Sequence, residues 1–182
     1  MGNTCPAVTE LRNALQSKIP FLAGNYREVN GKFLPRLQWW KDGSLNRHDA
    51  GLALDIILFA HVPNEKILGE NLFSAFYDYQ PEMKWLGLIY ENICVSGNGV
   101  PQHYTQDTKH YTHIHIDWMN YSLYERTGKT SIPWPPEAYS TGFGSYLSQV
   151  FSDLNNDWLG GNLSSINLNR LSKITVGPIT TT

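Results

Sequence analysis

The segment KHYTHIHIDW, residues 109–118, holds three of the chain's six histidines, at 110, 113 and 115, with Asp117 two places further on. Its clean alternation reads as a strand. A strand presents alternate side chains to one face, so His113, His115 and Asp117 share a face and Ile114, Ile116 and Trp118 share the other. The apolar set is the core side. Two imidazoles then stand on neighbouring positions of a cleft-facing surface. A polar strand face with solvated histidines is the plain alternative, and His110 close by weighs against it. Zinc or another borderline metal is the usual reason to gather imidazoles on a rigid strand.

A metal needs further ligands. RHDAGLALDI, residues 47–56, offers His48 and Asp55. Their odd separation cannot put both on one face of an uninterrupted strand. If Asp55 lies within a strand, His48 must swing in from the loop before Gly51, where glycine permits a tight approach. An unpartnered carboxylate among Leu and Ile is costly. A metal or a strong set of hydrogen bonds accounts for Asp55 better than chance polarity does.

These residues carry a resemblance. H-x6-D followed by H-x-H resembles the zinc peptidase group of lysostaphin, the D-alanyl-D-alanine metallopeptidases and Sonic hedgehog. HDAGLALDI is similar to the H-x-x-G-x-A-x-D signature of D-Ala-D-Ala carboxypeptidases and L-alanyl-D-glutamate endopeptidases. The H-x-x-H-x-H spacing at 110, 113 and 115 looks like that of the penicillin-insensitive murein endopeptidases. The resemblance spans roughly residues 36 to 118. It implies an antiparallel sheet carrying one Zn2+, and cleavage of peptide bonds in peptidoglycan stems. Position by position, His48, Asp55 and His115 resemble the three zinc ligands. His113 resembles the catalytic histidine beside the metal, and His110 an auxiliary one. The E-x-x-H pattern of many carboxypeptidases is absent, because Thr112 stands where the Glu would be. His113 is therefore the better base, which tilts the expectation toward an endopeptidase.

The chemistry is consistent with that resemblance. Three protein ligands leave a fourth position open, as a catalytic zinc requires. Zinc can bring the pKa of a bound water to about 7, and a neighbouring imidazole can take its proton. Asp117 is placed either to orient a ligand histidine from behind or to serve as an ordinary strand-end carboxylate. Stem peptides carry carboxylates, so an arginine in the cleft would pair with them bidentately. Arg47 and Arg36 are the candidates; related peptidases often hold such an arginine upstream of the first ligand. His61 and His103 read as bystanders. Tyr104, Tyr111 and Trp118 could line the cleft, with a core role favoured for Trp118.

Other uses of H-x-H fit less well. The metallo-β-lactamase signature H-x-H-x-D-H is broken by Trp118. Amidohydrolase barrels place H-x-H near the start of a much longer chain. The serious alternative keeps the zinc but has lost catalysis, as a binding module of the same fold.

The elements that must position these residues can be read along the chain. Residues 4–18 predict a helix, with Thr4 as cap, Pro6 in the first turn and Val8, Leu11 and Leu15 on one face. Residues 21–46 are loop-like, with short extended pieces around 33–40. Residues 51–58 predict a buried strand and 64–79 a second helix, striped by Ile67, Leu68, Leu72, Phe73 and Phe76. Residues 85–90 predict another strand, 96–109 a polar loop, and 137–154 a helix. The expectation is α+β: a small antiparallel sheet with helices packed on one face. Residues 1–157 are expected to form one domain, the zinc peptidase domain that the resemblance implies, and 158–182 a polar tail.

The chain has 182 residues and a formal charge of −2, so no basic field draws it to nucleic acid or anionic lipid. Charged residues make up 16%, while six Trp, ten Tyr and seven Phe supply core and cleft. No apolar run reaches membrane-spanning length. The two cysteines, Cys5 and Cys94, could pair or stay free. The first twenty residues lack a basic start and an apolar block, so no secretory signal is read there. Injection as an antibacterial effector, or release as a lysin, would bring the domain to the wall or periplasm. No basic wall-binding module is visible, which favours the effector. An immunity protein or a secretion-system partner would then accompany it.

Overall fold

Pro6 opens helix α1 (Pro6–Lys18), where its missing N–H costs nothing. Ala7, Val8, Leu11 and Leu15 form its buried stripe. The N-cap is Cys5 and not Thr4, and Cys5 makes no side-chain cap bond. Thr4 Oγ1 pairs instead with Thr9 Oγ1 at 3.0 Å. A short α2 (Pro20–Ala23) leads into a hairpin of β1 (Asn25–Val29) and β2 (Lys32–Pro35). The structure is a computed structural model that describes residues 4–29, 32–39, 48, 50–97, 99–105, 109–120 and 134–161.

The main sheet has six strands, all antiparallel. They are β3 (Leu37–Gln38), β4 (Ala53–Ile57), β5 (Gly87–Tyr90), β6 (Ile93–Ser96), β7 (Gln102–His103) and β8 (His113–Asp117). Their order across the sheet is β3-β4-β8-β5-β6-β7. Helix α3 (Pro63–Asp78) and the short α4 (Gln80–Met83) lie between β4 and β5 in the chain, and α5 (Phe143–Leu159) follows β8. Lys109–Tyr111 and Pro136–Tyr139 are 3-10 turns.

One face of the sheet is the core. Leu54, Ile56, Leu88, Tyr90, Ile114 and Ile116 join Leu11, Leu15, Phe73, Phe76 and Leu147 of the helices in a single apolar cluster. Each fully buried side chain of this size contributes about 1.5–3 kcal/mol. Trp118 and Trp85 are fully buried. Their indole N–H groups are satisfied by the carbonyls of Met83 at 2.9 Å and Phe76 at 2.8 Å. Trp118 is thus a core residue and does not line a cleft. The opposite face carries Ala53, Asp55, Ile57, Ile89, His113, His115 and Asp117, as the strand registers require.

Helix α5 starts later and runs further than its sequence pattern predicts, to Leu159. Its first turn is held by α1: the Glu10 carboxylate accepts from the N–H groups of Gly142 (2.9 and 3.0 Å) and Gly144 (2.7 Å), an anion at a helix N-terminus. Trp158 donates to the Asn64 carbonyl at 3.0 Å and packs on Phe21 at 4.7 Å. The folded part therefore reaches past residue 157, and the remainder of the expected tail, 162–182, lies outside the described residues. Among the described residues no helix is long and apolar enough to cross a membrane. Cys5 and Cys94 are both free thiols. Burial pushes the Cys5 thiol up to about 11 and raises Cys94 as well, so neither is primed as a thiolate.

Candidate metal centre

Strand β8 sits between β4 and β5, and its register decides the site. Asp55 lies opposite His115, Ile57 opposite His113, and Ala53 opposite Asp117. Directly opposed residues share a face, so the carboxylate of β4 and the two imidazoles of β8 meet. On the other side His115 lies opposite Ile89 and Asp117 opposite Gly87. Cys94 continues the same row on β6. It stands two strands from His115, about 10 Å away, and takes no part in the cluster.

His48 comes from outside the sheet. The turn that delivers it is closed by the Gly51 N–H on the His48 carbonyl at 2.9 Å. Gly51 has φ +71°, a left-handed conformation that glycine adopts without strain. The turn is tied down by two further bonds, from the Cys5 N–H to the Gly51 carbonyl (2.8 Å) and from the Trp134 indole to the Ala50 carbonyl (2.7 Å). His48 thus swings in before Gly51, as the odd spacing from Asp55 requires.

Asp55 Oδ1 is the hub. His115 Nδ1 lies 2.7 Å from it, His48 Nε2 3.2 Å and His113 Nε2 3.7 Å. Asp55 is 1% exposed, and His48, His113 and His115 are all below 10%. Burial alone would push the Asp55 carboxyl up. The hydrogen bonds from His115 and His48, with the charge of His113, outweigh it and hold the group well below the usual carboxylate range. Burial likewise disfavours charge on His115, yet its bonds to Asp117 and Asp55 outweigh that and raise its pKa.

Two groups of side chains could hold a metal ion: His48, Asp55 and His115, and His110, His113 and His115. Within each, the ligand atoms lie within 4.8 Å of one another. Ligands 2.0–2.1 Å from a tetrahedral ion stand about 3.3–3.4 Å apart. The His48–Asp55 separation of 3.2 Å is already of that size, and the His115–Asp55 separation of 2.7 Å needs to widen by a few tenths. The set with the carboxylate also carries the anion that offsets a divalent charge, so it fits a cation better than three imidazoles do.

His113 is held from the other side, its Nδ1 3.1 Å from Thr112 Oγ1. That leaves Nε2 turned toward the Asp55 hub. His110 arrives on the 3-10 turn just before β8, its ring 4.8 Å from His113, 5.9 Å from His115 and 4.9 Å from Tyr104. All four histidines expected at the site are therefore gathered with Asp55. His103 is exposed on β7, and His61 packs against Phe59 at 5.4 Å; neither belongs to a metal-holding group among the described residues.

The expected arginines fare differently. Arg47 lies outside the described residues. Arg36 is buried and its fork is committed: Nη1 and Nη2 donate to the two oxygens of Glu65 at 2.9 and 3.0 Å. Nη1 also donates to the Ile57 carbonyl at 3.0 Å, and the guanidinium covers the Phe21 ring at 3.9 Å. Glu65 in turn accepts from the Phe59 N–H at 3.0 Å. As placed, Arg36 pins the end of β4 to α3. Glu65→Ala would leave that guanidinium buried without its counter-charge, and a loss of about 3–5 kcal/mol is expected. Urea unfolding of the variant measures it. Unchanged stability with weakened substrate binding would return Arg36 to the cleft.

Three contributors are not visible in the spacing of the sequence: Glu65, Thr112 as a partner of His113, and Gly87 opposite Asp117. No family model, curated protein or solved structure matches the chain.

Proposed function

We propose that the protein is a zinc-dependent peptidoglycan peptidase, hydrolysing an amide bond in a stem peptide or cross-link of the bacterial wall. The observation that carries this reading is the division of labour around Asp55. His48, Asp55 and His115 converge as a three-ligand set, and His113 presents Nε2 3.7 Å from the shared oxygen. A further imidazole beside three ligands is what a hydrolytic centre needs and a purely structural site does not.

Zinc held there would supply a Lewis acid for a carbonyl and for water at neutral pH. The residues do the rest. His48 and Asp55 come from one stretch of chain and His115 from the neighbouring strand, so the sheet fixes their spread. His113 Nε2 takes a proton from the attacking water and returns it to the leaving amine, while Thr112 holds its Nδ1 side. His110, its ring tilted 46° against that of His113 at 4.8 Å, limits how far that ring turns. Without Glu at position 112, the base is an imidazole and not a carboxylate.

The alternative, a zinc-bearing module without catalysis, would have no use for His113 and His110 beside a complete ligand set. Digestion of purified peptidoglycan separates the two. Amide hydrolysis releases free amino groups, stops with a chelator and recovers with added zinc, and mass spectrometry of the muropeptides names the bond. New reducing ends without new amines, or activity indifferent to chelation, would overturn substrate and mechanism together. An active enzyme would work in the periplasm or at the wall, and delivery as an antibacterial effector with an immunity protein remains part of this proposal.

A further inference from the structure

A neutral imidazole carries one N–H and one bare nitrogen. A metal ligand must offer the bare one, so something has to decide which it is. On His115 both nitrogens face carboxylates: Nδ1 faces Asp55 Oδ1 at 2.7 Å and Nε2 faces Asp117 Oδ2 at 3.1 Å. An ionised carboxylate only accepts. Without an ion each nitrogen can carry a proton, one for each carboxylate; a cation seated between Asp55, His48 and Nδ1 takes the place of the Nδ1 proton, while Asp117 retains the one on Nε2.

Asp117 is itself immobilised. It is 1% exposed, and its other oxygen, Oδ1, accepts the Met119 backbone N–H at 3.0 Å. Its carboxylate lies over Gly87, its register partner on β5. A Cβ built on Gly87 would stand 2.6 Å from Asp117 Oδ2, 3.0 Å from Cγ and 3.1 Å from Oδ1. No side chain larger than hydrogen leaves the carboxylate where it is. Gly87 does not have a positive φ, so its backbone would suit alanine. What the glycine provides is room, the close approach that glycine in a strand permits.

We propose that Asp117, seated in the hollow over Gly87, is a positioning residue that keeps the proton on His115 Nε2 and so makes Nδ1 its metal-binding atom. The proposal rests on His48, Asp55 and His115 being the ligand set. It differs from a strand-end carboxylate that merely caps the Met119 N–H. If capping were its whole role, Asp117→Ala would lose the cap and leave metal affinity unchanged.

Two variants separate these roles by different chemistry. Asp117→Asn keeps size but has one acceptor oxygen where two are used. It can serve Met119 or His115, not both, and when its NH2 faces His115 the proton is driven to Nδ1. Gly87→Ala leaves Asp117 in place chemically and displaces it sterically. The experiment uses the full chain, stripped of metal and reloaded with zinc, with affinity read by competition against a chromophoric zinc chelator. Long-range proton–nitrogen correlation of the histidine rings reads which nitrogen of His115 is protonated in the zinc-loaded protein.

Both variants should bind zinc roughly 10–100-fold more weakly, the usual effect of losing a group that orients a metal ligand. The unaltered protein should show His115 protonated at Nε2. Equal affinity in both variants would overturn the clamp while leaving the zinc reading intact. So would His115 protonated at Nδ1 in the unaltered, loaded protein, a measurement that needs no variant to fold. A wild-type protein that binds no zinc would overturn the ligand set and the clamp with it.

Discussion

With the proposed zinc centre, His113→Ala should keep zinc and lose turnover by roughly 10²–10⁴-fold, the share that a positioned acid–base group contributes. The expectation comes from where Nε2 stands. At 3.7 Å from Asp55 Oδ1 it is the most distant of the three nitrogens around that oxygen, next to the ligand set. Its other nitrogen is held by Thr112. Removing the ring leaves His48, Asp55 and His115 untouched, so metal analysis should still give about one equivalent, as a three-ligand site holds a single ion. Loss of zinc in this variant would make His113 a ligand and shift the centre to the three-histidine group. Normal turnover would remove it from the mechanism.

Asp55→Ala should do the opposite and fail at the first step. The metal content should fall from about one equivalent to near none, and digestion of peptidoglycan should stop. Asp55 is the one carboxylate in its ligand set, and its Oδ1 is the atom on which His48 and His115 converge. Without it three imidazoles face each other around a hole with no anion to offset a divalent cation. Asp55→Asn separates charge from shape: it fills the same space, yet it should still lose the ion. If either variant kept stoichiometric metal after dialysis, the ion would have to be held elsewhere, and the ligand set would be wrong.

Much of this centre is legible in the sequence because two physical signals are strong. Period-two alternation in HIHID puts His113, His115 and Asp117 on one face without knowledge of any other strand. Asp55 stands out because its neighbours are apolar, and the register that places it opposite His115 explains how such a carboxylate is tolerated. What could not be read is what depends on a neighbour across the sheet. Nothing in WLGLIY says that Gly87 will lie under an aspartate thirty residues on. Arg36 reads as available because Glu65, which claims its fork, belongs to a helix that gives no sign of facing it. Strand β6 is not legible for a local reason. The hairpin joining Tyr90 to Ile93 turns on Glu91 and Asn92, with Glu91 at φ +52°, and glutamate is not a residue that announces such a turn. Of the hairpin β1–β2, the extended pieces around 33–40 take in most of β2, while β1 falls in a stretch beside Gly24 that reads as loop.

The strand order has a consequence for how the molecule is made. β8 is the last of the described strands in chain order but the third in the sheet. Until it is threaded between β4 and β5, each of those strands has one open edge, and the closing contacts span dozens of residues, which is slow to achieve. The same insertion seats Ile114 and Ile116 in the core and brings His113 and His115 to Asp55. A chain still on the ribosome, or one that has folded only its earlier strands, holds His48 and Asp55 with no imidazole opposite. The candidate site is therefore completed in one step with the finished core, and an ion held there would be a late guest of a fold already closed rather than its nucleus.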